Sequence, residues 1–242
     1  MTNKHISPTV DSSSYACPIT VDCAIFGFQE NTLKVLLVKR SIAPFKDSWL
    51  LPGGILFKDQ TLEETINTLL FELTGISGIR QQQVKIYSDI NRHLTKRVVT
   101  VCYYALVKPE EYTIIAKHHF SDIQWFSIDE VLPKLAFDHS TLFKDALNRL
   151  KRNLKRRLVF GDLLSEEFTL KELQDLYENI LKIQLDRRNF RKKIMKTLLK
   201  NYPTASRIVL ALILFGLALV LSGLVNKGVV KEYIQQLRNV VQ

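Results

Sequence analysis

Cysteine is too scarce in this sequence to provide a stabilising framework. The 242 residues contain only three cysteines, Cys17, Cys23 and Cys102, an odd number whose spacing suits no metal site. A disulfide-rich secreted scaffold is therefore excluded, and we expect reduced thiols in a cytoplasmic protein. The N-terminal residues are polar and lack the apolar stretch of a secretory signal, so we expect a flexible leader over residues 1–16.

Acidic residues are lacking in the C-terminal part of the chain. Residues 1–150 contain 16 basic and 16 acidic residues, whereas residues 151–207 contain 15 basic and 7 acidic residues. The net charge of +10 therefore belongs mainly to the C-terminal part. A basic region beside a neutral one indicates a polyanionic partner, either a nucleic acid or an anionic membrane surface. The length of the chain suits two domains.

Residues 17–157 show the pattern of an α+β domain. Two β-branched and aliphatic runs on either side of residues 29–32 predict a hairpin. Residues 49–54 predict an extended segment that ends in a Gly-Gly turn. A helix is predicted over 61–74, because Thr61 and Glu64 form a capping box before apolar residues at helical spacing. The other predicted elements are strands over 84–90, 97–107 and 123–126, a short helix from 127–130 and a basic helix over 138–157.

The segment that begins at Gly54 resembles the Nudix box, G-x5-E-x7-R-E-U-x-E-E-x-G-U, in which U is a bulky aliphatic residue. The glutamates of the box bind divalent cations that neutralise a diphosphate and activate water. In this sequence the four glutamate positions are occupied by Gln60, Leu69, Glu72 and Leu73. The remaining box positions fall on Thr68, Leu70, Gly75 and Ile76. Because one carboxylate cannot hold a metal cluster, we expect no hydrolysis, no catalytic residue, no metal and no cofactor.

Three other segments extend this resemblance. They read WLLPGG at 49–54, RVVTVCYYAL at 97–106 and AFDH at 136–139. Together with the box they resemble the NrtR/AraR-type family of Nudix-related transcriptional regulators, over about residues 20–199. The resemblance implies a Nudix-like α/β/α sandwich that senses a sugar or an ADP-ribose-like nucleotide, often without hydrolysing it. The candidate ligand-binding residues are Arg40, Trp49, Gly53, Gly54 and Arg97.

Asp138 and His139 precede the predicted basic helix. An Asp-His pair can be catalytic, but no Ser or Cys motif accompanies this one. We therefore expect Asp138 to be the N-cap of the helix and His139 to have a structural role at the domain hinge.

Residues 158–203 predict a helical DNA-binding domain. Thr169 and Glu172 form a second capping box, and after a break at 182–185 Asp186 is placed to cap a second, basic helix over 187–199. A solvated basic surface is the alternative explanation. The segments FTLKELQDLYENIL and LDRRNFRKK resemble the winged helix of the same family, which favours DNA binding. The candidate DNA-binding residues are Thr169, Lys171, Arg187, Arg188, Asn189, Arg191, Lys192 and Lys196.

The C-terminal residues depart from that family. Where its wing hairpin would follow, residues 208–225 form an apolar run of eighteen residues without a charge, before a tail over 226–242. At 1.5 Å per residue a helix of this length spans roughly 27 Å, close to the thickness of a bilayer core. The run predicts a transmembrane helix that tethers a cytoplasmic protein to the inner membrane. A buried helix and an aberrant tail are the alternatives, and in each case the wing is missing.

These patterns together predict a ligand-responsive, DNA-binding transcriptional regulator with an inactive sensor domain. We expect it to bind a palindromic operator as a homodimer, because this class of motif reads half-sites through two-fold symmetry. The alternatives are a Nudix-type pyrophosphohydrolase and a membrane-anchored interaction protein.

Overall fold

The structure is a computed structural model that describes residues 17–74, 78–94, 96–111, 114, 120–130, 132–156, 163 and 169–201. It divides into two compact units, of which the first ends at Gln184 and the second begins at Leu185. Several predictions lie outside the described residues: the leader, the box positions Gly75 and Ile76, the domain junction near 158–161, the wing, the apolar run and the tail.

A seven-stranded mixed sheet forms the centre of the first unit. Its strands are β1 (Ile19–Gln29), β2 (Thr32–Arg40), β3 (Trp49–Leu50), β4 (Gly53–Ile55), β5 (Gln81–Tyr87), β6 (Val99–Val107) and β7 (Phe120–Ser127). The order is β3-β2-β1-β6-β5, while β4 pairs with β1 and β7 pairs with β2. The β1–β6 pair is parallel and the other pairs are antiparallel.

The predicted hairpin is confirmed in β1 and β2. Gln29 lies opposite Thr32, so only Glu30 and Asn31 form the turn. Both turn residues have positive φ angles, 52° and 56°, as a tight hairpin turn requires.

Helices cover both faces of the sheet, as an α/β/α sandwich predicts. Successive side chains of a strand point to opposite faces, so β1 contributes to two layers. On one face, Cys23 and Ile25 belong to the core cluster that includes Ile66 and Leu70 of α1 (Leu62–Thr74). On the other face, Phe26 packs against Phe143 of α2 (His139–Arg156), with ring centroids 6.1 Å apart.

The capping box of α1 is confirmed. The backbone N–H of Thr61 donates to Glu64 Oε2 at 2.7 Å, and the N–H of Glu64 donates to Thr61 Oγ1 at 3.2 Å. Helix α2 also agrees with its predicted bounds to within one residue at each end.

Four predicted elements differ from the structure. One is β7, which begins three residues before the strand predicted over 123–126. Gly53 and Gly54 are not a turn but part of β4, where they pair with Asp22 and Val21. The predicted short helix at 127–130 is wrong, because the N–H of Ile128 donates to Leu33 O on β2 and residues 128–129 form a turn. Strand β5 begins three residues earlier than predicted and ends at Tyr87, because its polar first residues pair with β6 before a register shift between Gln83 and Lys85.

Helix α3 (Leu170–Leu181) also belongs to the first unit, and its predicted capping box and end are confirmed. Thr169 and Glu172 bond reciprocally at the N-terminus, and Lys182 ends the helix in a left-handed conformation. The buried face of the helix consists of Leu173, Leu176, Tyr177 and Ile180. The side-chain amide of Asn179 donates to the carbonyl of Asn31, so α3 is tied to the β1–β2 turn.

The second unit is described over α4 (Arg187–Asn201) and the residues just before it. The predicted cap is confirmed, because the Asp186 carboxylate accepts the N–H of Asn189 at 2.8 Å. Phe190 and Ile194 are buried, as their spacing predicts. In the part of the chain that the structure describes, no helix is long and apolar enough to cross a membrane.

Candidate ligand cavity and nucleic-acid interface

A cavity of about 660 Å³ lies in the first unit beside the beginning of β1 and the N-terminus of α2. This volume is in the range of small-molecule sites, about 300–1,000 Å³. The cavity is lined by residues of α1, β4, the β2–β3 loop and the segment that precedes β6. Of the five predicted ligand-binding residues, Arg40, Gly53 and Gly54 line it.

Asp22 and His139 form a buried polar pair at the cavity. The backbone N–H of Leu51 donates to His139 Nδ1 at 3.1 Å, and His139 Nε2 lies 3.9 Å from Asp22 Oδ1. Burial lowers the pKa of His139, although the charge of Asp22 opposes this effect. Burial likewise raises the pKa of Asp22 against the charges of His139 and Arg92. A histidine that accepts a backbone hydrogen bond in a buried site fits a structural role.

Arg92 and Asp138 form a bidentate ion pair beside this site. Arg92 Nε and Nη2 donate to the two carboxylate oxygens of Asp138 at 3.0 and 2.9 Å. Arg92 Nη1 also donates to the hydroxyl of Thr100. The Asp138 carbonyl accepts the first helical N–H groups of α2, but its carboxylate binds Arg92 instead of capping the helix. Sequence reasoning missed Arg92, since a single arginine in a loop carries no signal of its partner.

Gly53 is required by the close approach of β4 to Asp22. A Cβ atom at Gly53 would lie 1.7 Å from Asp22 Oδ1 and 2.9 Å from the backbone carbonyl of Val21. At Gly54 an added Cβ would have no atom within 4 Å. Of the two adjacent glycines, only Gly53 is therefore required by a steric contact.

Arg40 presents a positive charge beside an aromatic surface. Its Nε donates to Pro44 O at 2.7 Å, and its guanidinium lies 5.7 Å from the centroid of the Phe137 ring. Burial lowers the pKa of Arg40, but a guanidinium stays protonated at neutral pH. The Phe137 ring stacks on His93 at 5.1 Å, and Lys96 adds a further cation to the lining, beside Arg40 and Arg92. This combination suits a ligand with phosphate groups and a flat ring.

The other two predicted ligand-binding residues lie elsewhere. Trp49 packs edge-on against Phe126 with ring centroids 4.8 Å apart, and Arg97 Nη1 donates to Ser88 O at 2.6 Å. Neither residue lines the cavity.

The α1 wall of the cavity does not suit the divalent cations of a Nudix site. The box positions on α1 that line the cavity are Thr68, Leu69, Glu72 and Leu73, and Gln60 is outside the lining. Carboxylate oxygens are the ligands that hard cations prefer, and this wall offers only Glu72. Within the described ranges, no three His, Cys, Asp or Glu residues are grouped so that they could hold a metal ion.

Helix α4 carries a concentrated positive charge. Its sequence, RRNFRKKIMKTLLKN, has seven basic residues and no acidic residue. The candidate DNA-binding residues on it are exposed: Arg187, Arg188, Asn189, Arg191, Lys192 and Lys196. Arg and Asn side chains can read base edges and Lys contacts phosphates, so this surface suits DNA.

The two candidate DNA-binding residues of α3 differ from each other. Thr169 uses its hydroxyl in the capping box, where it accepts the N–H of Glu172 at 3.1 Å. Lys171 is exposed on the first turn of the helix.

Comparison of the sequence with known protein families identifies both parts of the chain. The sequence model of the NUDIX domain matches residues 18–146, and that of the NrtR DNA-binding winged helix domain matches residues 160–205. The chain belongs to the NrtR family. An ADPR responsive transcriptional repressor NtrR of Acinetobacter baylyi is 35% identical over 189 residues, which cover 76% of this chain and 75% of the relative.

Two structures of Shewanella oneidensis NrtR are also similar to this NrtR-family chain. One is a complex with a 27mer DNA, with a TM-score of 0.66, 35% identity, and coverage of 74% of this chain and 82% of the other. The second is the NUDIX domain complexed with ADP ribose, with a TM-score of 0.53 and 35% identity. It covers 62% of this chain and 99% of the other. An ADP-ribose pyrophosphatase of Methanocaldococcus jannaschii is 30% identical over 143 residues, which cover 59% of this chain and 83% of the relative.

Proposed function

We propose that this NrtR-family protein is a transcriptional regulator that binds ADP-ribose in the cavity of its first unit and operator DNA through α4. The observation that carries the proposal is the combination on one chain of a cationic, aromatic cavity and an exposed basic helix. Among the residues that the structure describes, this cavity has no carboxylate set that could hold a metal ion. The ADPR responsive repressor of Acinetobacter baylyi supports both parts.

The cavity offers complementary groups for the phosphates and the adenine of ADP-ribose. Arg40 and Lys96 supply positive charge for the two phosphates, and the stacked rings of Phe137 and His93 offer an aromatic surface for the adenine. A guanidinium held by backbone carbonyls is already oriented, so the ligand does not have to order it.

Isothermal titration calorimetry of the full chain with ADP-ribose tests this assignment. Arg40→Ala should weaken binding about tenfold or more, because it removes a charge-assisted contact to phosphate. Arg97→Ala is the matched control, since this arginine does not line the cavity and its loss should leave the affinity unchanged. Equal effects of the two substitutions would refute the assignment of the cavity.

DNA binding is tested by fluorescence anisotropy with duplexes from upstream of the gene and its neighbours. Arg188→Ala and Arg191→Ala should each cost about 1–3 kcal/mol if the residue reads a base. Lys192→Ala should weaken binding to all sequences alike and flatten the salt dependence. Arg149→Ala is the control, because it removes one exposed charge from α2. If the α4 variants bind DNA as well as this control does, another surface contacts DNA.

The proposal includes a homodimer and the absence of hydrolysis. A dimer matches the two-fold symmetry of a palindromic operator, and light scattering of the full chain would detect it. The pyrophosphatase relative makes hydrolysis the competing function, but Leu69 and Leu73 stand on the cavity wall where a Nudix enzyme has glutamates.

A membrane tether over residues 208–225 is a further part of the proposal. Its support is the run of eighteen uncharged residues in the sequence, with most of the basic residues before it. This orientation would keep residues 1–207 in the cytoplasm.

A further inference from the structure

Thr65 lines the cavity and carries a buried hydroxyl group that no described residue satisfies. The residue is only 2% exposed and lines the cavity, yet its Oγ1 has no hydrogen-bond partner among the described residues. By contrast, the hydroxyls of Thr20 and Thr100, which also line the cavity, bond to each other at 2.5 Å. Buried polar atoms in native proteins rarely lack a partner, so an exception at a cavity wall points to a ligand.

Helix α1 itself does not use this hydroxyl. A threonine in a helix can bond to the carbonyl four residues earlier, which here belongs to Thr61. That carbonyl accepts the backbone N–H of Thr65 at 3.0 Å, and Thr65 Oγ1 makes no such bond. The hydroxyl therefore has both its donor and its acceptor capacity unused among the described residues.

The neighbours of Thr65 on the wall indicate which part of a ligand lies there. Leu69 and Leu73 are apolar, Thr68 is polar without a charge and Glu72 is acidic. The cations Arg40, Arg92 and Lys96 come from other segments. A phosphate beside α1 would meet a carboxylate and two leucines. A sugar ring would place its C–H face on the leucines and offer hydroxyls as hydrogen-bond partners.

We propose that Thr65 hydrogen-bonds a hydroxyl of the terminal sugar of a nucleoside diphosphate sugar. This contact orients the ligand with its sugar against α1 and its phosphates toward Arg40 and Lys96. The inference rests on the proposed binding of ADP-ribose in this cavity. It adds a contact to the terminal sugar, which is the part of ADP-ribose that ADP lacks.

The test compares two ligands and three forms of the full chain by calorimetry. ADP-ribose carries the terminal sugar and ADP lacks it. Thr65→Val keeps the shape of the side chain and removes the hydroxyl, while Thr65→Ser keeps the hydroxyl. Thr65→Val should bind ADP-ribose about five- to tenfold more weakly than wild type and bind ADP equally well. Thr65→Ser should keep its preference for ADP-ribose over ADP, and the melting temperature of ligand-free Thr65→Val should not fall.

Each contrary outcome has a separate meaning. Equal ADP-ribose affinity of wild type and Thr65→Val overturns the contact, while the proposed function stands. An equal loss for ADP and ADP-ribose overturns the assignment to the terminal sugar. A wild-type protein that does not bind ADP-ribose overturns the proposed function and this inference with it.

Discussion

Replacement of Gly53 by alanine should destabilise the first unit, although it adds only one methyl group. The new Cβ would lie 1.7 Å from Asp22 Oδ1, so the carboxylate must move. It would also lie 2.9 Å from the carbonyl of Val21, which belongs to the backbone of the central strand and cannot swing away.

The size of the effect follows from two costs. Forcing a methyl group into a filled space costs about 1–3 kcal/mol. Moving the Asp22 carboxylate away from His139 and Thr100 deprives this buried carboxylate of its polar partners, at about 1–3 kcal/mol. We expect Gly53→Ala to lose about 2–6 kcal/mol of unfolding free energy and to melt about 5–20 °C lower.

The assay is thermal and urea unfolding followed by tryptophan fluorescence. Both tryptophans, Trp49 and Trp125, lie in the first unit, so the signal reports on that unit. Gly54→Ala is the matched control, because its Cβ meets no atom within 4 Å. This control should be neutral or more stable by about 0.4–1 kcal/mol, since alanine restricts the unfolded chain. Equal stability of the two variants would refute the argument from the Asp22 contact.

Three further predictions concern hydrolysis, pH and the C-terminal run. Incubation with ADP-ribose and Mg²⁺ should release no AMP, and release that is abolished by Glu72→Ala would show an active Nudix enzyme. Burial raises the pKa of Asp22 above 3.8, so above that pH the unfolded state loses this proton before the folded state does, and stability falls as the pH rises. Relative to wild type, Asp22→Asn should therefore gain unfolding free energy as the pH rises from about 4, by at most about 1.4 kcal/mol per pH unit. Urea titrations at several pH values measure this difference, and a difference that does not change with pH would contradict the prediction. In cell fractionation the full chain should be found with membranes and a chain that ends at Arg207 should not, and a full chain that is monodisperse without detergent would reject the span.

Local sequence signals predicted the elements whose ends depend on near neighbours. The capping boxes at Thr61 and Thr169, the cap at Asp186 and the two-residue turn at Glu30 and Asn31 all involve residues within four positions of each other. For the same reason the bounds of α1, α2 and α3 agree closely with their predictions.

Contacts between distant residues could not be predicted from one sequence. Arg92 and Asp138 are 46 positions apart, and the requirement for Gly53 appears only when β4 lies beside Asp22. Trp49 and Arg97 belong to segments that resemble the family, but a motif does not show which way a side chain points. The polar start of β5 was missed because its strand character comes from pairing with β6.

The most direct test of the account is the coupling between ligand and DNA in the full chain. Fluorescence anisotropy with an operator duplex should give a dissociation constant that changes at least fivefold when ADP-ribose is saturating. By thermodynamic linkage, the duplex should change the affinity for ADP-ribose by the same factor. Arg40→Ala should bind the duplex normally and respond only at higher ADP-ribose concentrations. A protein that binds both ADP-ribose and DNA, each with an affinity independent of the other, would contradict the claim that the cavity is the sensor of a regulator.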